Sequence, residues 1–386
     1  MSRIIFIILL TLIAGSSSFC RKANPPGTNV TTSGGQNVQV EKGDTPYSIE
    51  VFAEGLSVPW SMVFTDSARM LLTERTGSLR QIVDGKLFEK PLKVFEDVAA
   101  DGEAGLMGLA VDPDYANNKY LYLSYAYESG NGMKVKVVRF RDGGDMLSEE
   151  KVIFDNIPAE SYHAGCRIKF GPDGKLYVTT GDAGERELCQ DKDNLYGKIL
   201  RINSDGTVPD DNPFPGNPVR SYGHRNPQGI DWYPGTQIMY STEHGPSGFD
   251  GPGGGDEVNV IVKGGNYGWP EVSHEDSKEG MISPVLVYTP AVAPADCMFY
   301  RSGVIEQFRN NLFIACLRGN AVIRVVADEN DPGKVVSAEK MNDIKHGRIR
   351  EIAEGPDGSI YFSTSNRDGR GRPAENDDRI FRIRAK

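Results

Sequence analysis

His163 stands just before a strand-like run, in the block His163-Ala-Gly-Cys-Arg-Ile-Lys-Phe-Gly-Pro-Asp-Gly-Lys-Leu-Tyr-Val-Thr-Thr-Gly-Asp182. An imidazole titrates near neutral pH, which suits it to taking a proton from a hydroxyl group. Taken alone, the same residue is equally a histidine that caps a strand. Arg225 and Asn226 follow His224 in a short polar loop. A guanidinium and an amide donor side by side can stabilise negative charge developing on an oxygen; a plain turn, with Asn226 conforming to Pro227, is the alternative. Arg348 and Arg350 are two residues apart and so face one side of a strand, where they can grip carboxylates. Without other information, that pair is as well read as a solvated face, or as partners of the chain's own acids. Gly245-Pro246, the glycine-rich Ser247–Gly255 and the pair Asp256-Glu257 hold too many glycines and prolines for a helix. Such loops offer backbone carbonyls and carboxylates, the oxygen ligands hard cations prefer. An exposed acidic turn is the other reading of Asp256-Glu257.

These candidates need a scaffold. The chain has 386 residues, 39% hydrophobic and 25% charged, which is globular composition with ample core material. Its net charge of −10 argues against a nucleic-acid partner. With Gly 44 and Pro 23 and no long amphipathic helical pattern, the chain reads as all-β.

A loose repeat supports this. The segments 64–82, 111–127, 170–182, 232–244, 308–325 and 354–366 each combine a turn with a short strand. The clearest are Phe-Gly-Pro-Asp-Gly-Lys-Leu-Tyr-Val from Phe170 and Glu-Gly-Pro-Asp-Gly-Ser-Ile-Tyr-Phe from Glu354, both with hairpin turn chemistry. Six copies at roughly 45–75-residue spacing predict a six-bladed β-propeller over 47–386, with long insertions around 191–217 and 247–284. A pair of β-sandwiches is the runner-up.

Residues 1–20 carry Arg3, the apolar run Ile4–Ile13 and small residues up to Cys20, the pattern of a secretory signal. Cleavage before Cys20 would give a lipoprotein anchored to the membrane; cleavage after Ala14–Ser18 would give plain secretion. Either predicts export, to the periplasm or, for a lipoprotein, the outer membrane or cell surface. Residues 21–46 read as a flexible tether. Cys166, Cys189, Cys297 and Cys316 remain, with any pairing left open.

Read in order, a set of motifs resembles the glucose/sorbosone dehydrogenases, especially the bacterial aldose sugar dehydrogenases. The set comprises Asp101-Gly-Glu-Ala-Gly-Leu-Met-Gly108, the His163–Asp182 block, Gly223-His-Arg-Asn-Pro-Gln-Gly229 and Glu243-His-Gly-Pro246. It continues with Asp256-Glu-Val-Asn259, Gly264-Gly-Asn-Tyr-Gly-Trp269 and Arg348-Ile-Arg350. No single motif decides the matter; the ordered set is specific.

The resemblance implies a six-bladed propeller that uses calcium and pyrroloquinoline quinone (PQQ). It implies oxidation of aldose sugars at C1 to lactones, with hydride passing to PQQ and electrons to an external quinone or cytochrome. His163 would be the base, and Arg225 would act with calcium on the quinone carbonyl. Arg225, Asn226, Arg348, Arg350 and the Arg318-Gly319-Asn320 segment would contact the cofactor. Carbonyls of Gly245 and Pro246 would hold a calcium that touches PQQ, and Glu257 with Tyr267 a second one.

The chain departs from the family pattern at Glu103, where members often have a cofactor-contacting glutamine. A carboxylate there would repel an anionic cofactor unless protonated or paired. Tyr162 stands where some members carry an acid. No Gly-x-Gly-x-x-Gly nicotinamide fingerprint is present in a strand–helix context. The alternatives are a non-catalytic propeller that binds a partner, and a calcium-dependent lactonase.

Overall fold

The computed structural model describes residues 45–386. The expected signal, Cys20 and nearly all of the expected tether lie outside those residues. The described chain forms six antiparallel sheets, five of four strands and one of five, in the six-bladed propeller expected from the repeat. Helix among the described residues is confined to Tyr115–Asn118 and two short 3-10 turns.

The repeat is legible because it encodes one hairpin per blade. Five of the six copies begin at the ladder positions Phe64↔Met70, Val111↔Leu121, Phe170↔Leu176, Trp232↔Met239 and Glu354↔Ile360; the copy 308–325 begins in the turn between the strands Pro294–Phe299 and Leu312–Cys316. In two copies the turn chemistry is identical. Asp173 accepts the Lys175 amide at 3.1 Å and the Tyr177 hydroxyl at 3.0 Å; Asp357 accepts the Ser359 amide at 3.1 Å and the Tyr361 hydroxyl at 3.2 Å. Each aspartate therefore closes its turn and ties it to the strand that follows.

The ring is closed by sequence-distant strands. Tyr47–Ala53 pairs antiparallel with Ile380–Ala385, so the last blade takes its outer strand from the start of the propeller. Interlocking the two ends leaves no gap between the first and last blades. The apolar clusters lie between blades; one joins Trp60, Met107, Tyr122, Ile168 and Leu200.

The axis is polar. Arg167 Nη1 lies 2.6 Å from Glu351 Oε2, and Arg167 Nε lies 3.2 Å from Asp296 Oδ1. Burial raises the Glu351 carboxyl to about 8 even with Arg167 beside it. The four cysteines in the described residues are buried free thiols, so none is paired.

Candidate active site

Loops at one mouth of the propeller enclose a cavity of about 860 Å³. Of the residues singled out in the sequence, Glu103, His163, Arg225, Gly245, Pro246, Arg318, Arg348 and Arg350 line it. They come from sites spread over nearly 250 residues of sequence.

His163 is buried, with a left-handed φ of 52°. That conformation is uncommon for a non-glycine residue and costs energy, so its surroundings must hold it. Its Nδ1 lies 2.6 Å from Asp182 Oδ1. A carboxylate only accepts, so Nδ1 carries the proton and Nε2 keeps its lone pair. Asp182 is fixed in turn by the Trp269 indole N–H at 2.9 Å and the Gly184 amide at 3.0 Å. A Cβ on Gly181 would sit 1.7 Å from the His163 carbonyl oxygen, so only glycine allows this approach. Asp182 was not singled out as a site residue. Its signal was present: extending the ladder Ile168↔Val178 places 164 opposite 182, next to His163.

Arg225 is buried and held on three sides. Its Nε donates to Asp250 Oδ2 at 2.7 Å, Nη1 to the His244 carbonyl at 3.1 Å and Nη2 to Ser247 Oγ at 3.2 Å. Asn226 lies behind the lining. Its Oδ1 accepts from the Gly165 amide at 3.2 Å and Gln228 Nε2 at 3.1 Å, while Nδ2 is a buried donor without a partner. Gln228 Oε1 also accepts from Arg350 Nη1 at 3.0 Å. One side chain thus links Asn226 to Arg350.

Glu103 is not a repulsive charge. Its Oε1 pairs with Arg370 Nη1 at 3.0 Å, and its Oε2 accepts the His163 backbone N–H at 3.1 Å. Burial would raise the carboxyl, but the attraction of His244, His163, Arg370 and Arg350 outweighs it and holds the group at about 2. Glu103 is therefore ionised and neutralised. Arg370, Arg75 and His244 also line the cavity and were missed in the sequence. Burial draws the His244 imidazole down to about 4, and its Nε2 has no partner among the described residues.

Six guanidiniums, from Arg75, Arg225, Arg318, Arg348, Arg350 and Arg370, line the cavity. Three are matched by carboxylates: Arg225 by Asp250, Arg348 by Asp368 at 2.8 Å and Arg370 by Glu103. Arg75, Arg318 and Arg350 have no carboxylate at salt-bridge distance among the described residues. Arg350 Nε is buried without a partner, and burial lowers the group to about 10. The wall thus holds three guanidiniums without a carboxylate at salt-bridge distance, against one lining carboxylate, Asp256, without a cation, a balance that suits an anion. Gly319 and Asn320 do not line it; Asn320 Nδ2 donates to the Arg318 carbonyl at 3.2 Å and shapes that turn.

Gly245 and Pro246 lie beside Asp256, which accepts the Gly245, Val292 and Ala293 amides at 2.8, 2.6 and 2.7 Å. No cation side chain pairs with Asp256 among the described residues. Glu257 and Tyr267 sit apart from this cavity and line a small separate hollow. Glu257 faces Glu243 across the ladder. Burial, then the Glu243 charge, pushes its carboxyl up to about 8. Asn259 Oδ1 nearby is a buried acceptor without a partner. Both places offer oxygen ligands of the kind a hard cation takes; among the described residues no group of three or more carboxylate, imidazole or thiol side chains is placed to hold a metal.

Residues 56–373 match the glucose/sorbosone dehydrogenase family model, and the chain belongs to that family. It is 33% identical to the aldose sugar dehydrogenase of Escherichia coli (strain K12), over 83% of this chain and 91% of that one. Quinoprotein glucose dehydrogenase B of Acinetobacter calcoaceticus is 32% identical, over 81% and 84%. The PQQ-bound aldose sugar dehydrogenase of Streptomyces coelicolor superposes with a TM-score of 0.77 at 31% identity, covering 88% of this chain and 99% of that one.

Proposed function

We propose that the protein oxidises aldose sugars at C1 to lactones, using PQQ and calcium, and passes the electrons to an external quinone or cytochrome. The observation that carries this reading is the charge pattern of the cavity. Three guanidiniums lack a carboxylate partner among the described residues, and PQQ brings three carboxylates. Arg75, Arg318 and Arg350 would hold them, with Arg348 adding a partly neutralised charge. The Asn226 Nδ2 and His244 Nε2 orphans add polar groups at or just behind the same wall.

When bound, PQQ supplies the two-electron acceptor and calcium the Lewis acid beside it. The rest is the work of the chain. His163 Nε2 takes the C1 hydroxyl proton, and Asp182 steadies the imidazolium that results. Arg225 spends three N–H bonds on its own loop. Its remaining ones can meet negative charge developing at the mouth. Carbonyls of Gly245 and Pro246, with Asp256 behind them, would hold the catalytic calcium. Glu257, Tyr267 and Asn259 would hold a second, structural one.

Glu103 is the residue that favours the alternative, a non-catalytic propeller; its pairing with Arg370 supports the catalytic reading instead. In the same proposal, residues 1–20 direct export to the periplasm or cell surface, with Cys20 as a lipid anchor point. The test is dye reduction by apo-protein given calcium, PQQ and an aldose. Turnover that needs both additions is expected. Silence with a panel of aldoses, or lactone hydrolysis with calcium alone, would overturn the proposal.

A further inference from the structure

Phe249 is the most exposed large apolar side chain among the described residues, 71% exposed, and it stands at the rim of the cavity. Its plane lies within 18° of the His163 imidazole, with centroids 6.3 Å apart. Tyr162 completes a corner. Its ring is edge-on to His163 at 4.9 Å and edge-on to Phe249 at 6.1 Å. The two rings therefore flank the His163 imidazole.

Both rings are held in place. A Cβ on Gly184 would come within 2.5 Å of the Tyr162 hydroxyl, so Tyr162 rests directly on the backbone that follows Asp182. Phe249 sits on the glycine-rich loop, next to Asp250. That carboxylate binds Arg225 and also accepts the Ser247 amide at 2.8 Å, while the Asp250 carbonyl accepts from Arg186 Nη1 at 3.1 Å. The loop is thus fastened to the catalytic wall on one side and to the 186 turn on the other.

We propose that Tyr162 and Phe249 form the sugar subsite, and that Phe249 takes the apolar C–H face of a neutral aldopyranose. This rests on the sugar-oxidising reading of the cavity. A pyranose ring offers one face of C–H groups and a rim of hydroxyls, and an aromatic plane matches the first while polar groups meet the second. The cation beside this corner, Arg186, is paired with Glu187 at 3.0 Å, and the guanidiniums behind it are those proposed to hold the anionic cofactor. Phe249 is then a determinant of sugar affinity that acts before the chemical step.

The test is steady-state kinetics of Phe249→Ala, Phe249→Leu and Phe249→Trp in the calcium- and PQQ-loaded protein, with PQQ affinity measured in parallel. Loss of one aromatic contact should raise KM for glucose about three- to tenfold in the alanine variant, with kcat nearly unchanged. The leucine variant should fall between, and the tryptophan variant should match the parent. PQQ affinity should not change. An unchanged KM in the alanine variant would overturn the proposal, as would a KM shift that tracks weakened PQQ binding. A parent protein that binds no PQQ would overturn the functional reading together with it.

Discussion

Asp182 bridges two residues that are 106 positions apart in the chain: its Oδ1 meets His163 Nδ1 at 2.6 Å and its Oδ2 meets the Trp269 indole at 2.9 Å. The imidazole is thus held in one tautomer by a carboxylate that is itself clamped. His163→Ala should lower kcat by about 10²–10⁴-fold while PQQ still binds. Asp182→Asn should also lower kcat, because an amide can leave Nδ1 unprotonated and direct the proton to Nε2. Stopped-flow reduction of the cofactor by sugar measures both. Near-normal rates in either variant would remove that residue from proton transfer.

Glu103 gives a pH-dependent prediction. Its ordinary value is 4.5 and its folded value about 2. A group lowered on folding stabilises the protein above its unfolded value, and the effect is lost as pH falls toward the folded value. Thermal melts of the parent should therefore lose stability between about pH 4.5 and 2 through this group. Glu103→Gln should show less of that loss, measured as the difference between the two melting profiles. Parallel profiles would mean that the carboxyl is not held down.

The same substitution bears on the cofactor. Glu103→Gln frees Arg370 from its partner and leaves an oxygen to accept the His163 amide. PQQ should then bind at least as tightly as before, by fluorescence or absorbance titration. Weaker binding would show that the Glu103–Arg370 pair is itself part of the cofactor's grip.

Arg350 and Arg348 should not be equal. Arg348 is matched by Asp368, while Arg350 has no carboxylate partner and carries an orphan Nε. Arg350→Ala should weaken PQQ binding by about 10- to 100-fold, the range for losing a charge-assisted hydrogen bond. Arg348→Ala should cost less. The reverse order would contradict the charge pattern proposed for the wall.

Calcium should also stabilise the fold. Glu243 and Glu257 are ladder partners with no cation between them, and a bound divalent ion would relieve that repulsion. Melting should shift upward with calcium and downward with a chelator, and Glu257→Gln should diminish the shift. Identical melts in both conditions would remove Glu257 and Tyr267 from metal binding.

The propeller was readable because its hairpin turn is written locally. Asp173, Gly174 and Tyr177 lie within five residues and repeat as Asp357, Gly358 and Tyr361. Much of the cavity lining was legible too, since its residues sit in short motifs at the strand ends away from those turns. What escaped notice was pairing between blades. Glu103 and Arg370 are 267 residues apart, and no spacing rule connects them. Arg75 and His244 lacked a local signal, because their meaning lies in what faces them across the mouth. Gly319 and Asn320 differ in the opposite way: they neighbour Arg318 in sequence, but of the three only the arginine lines the cavity.

The most direct test of the cofactor site is a titration of metal-loaded apo-protein with PQQ, followed by optical absorbance. The account predicts a saturable spectral change at one equivalent, lost in Arg350→Ala at the same concentrations. A featureless titration, with free PQQ recovered in full, would contradict it.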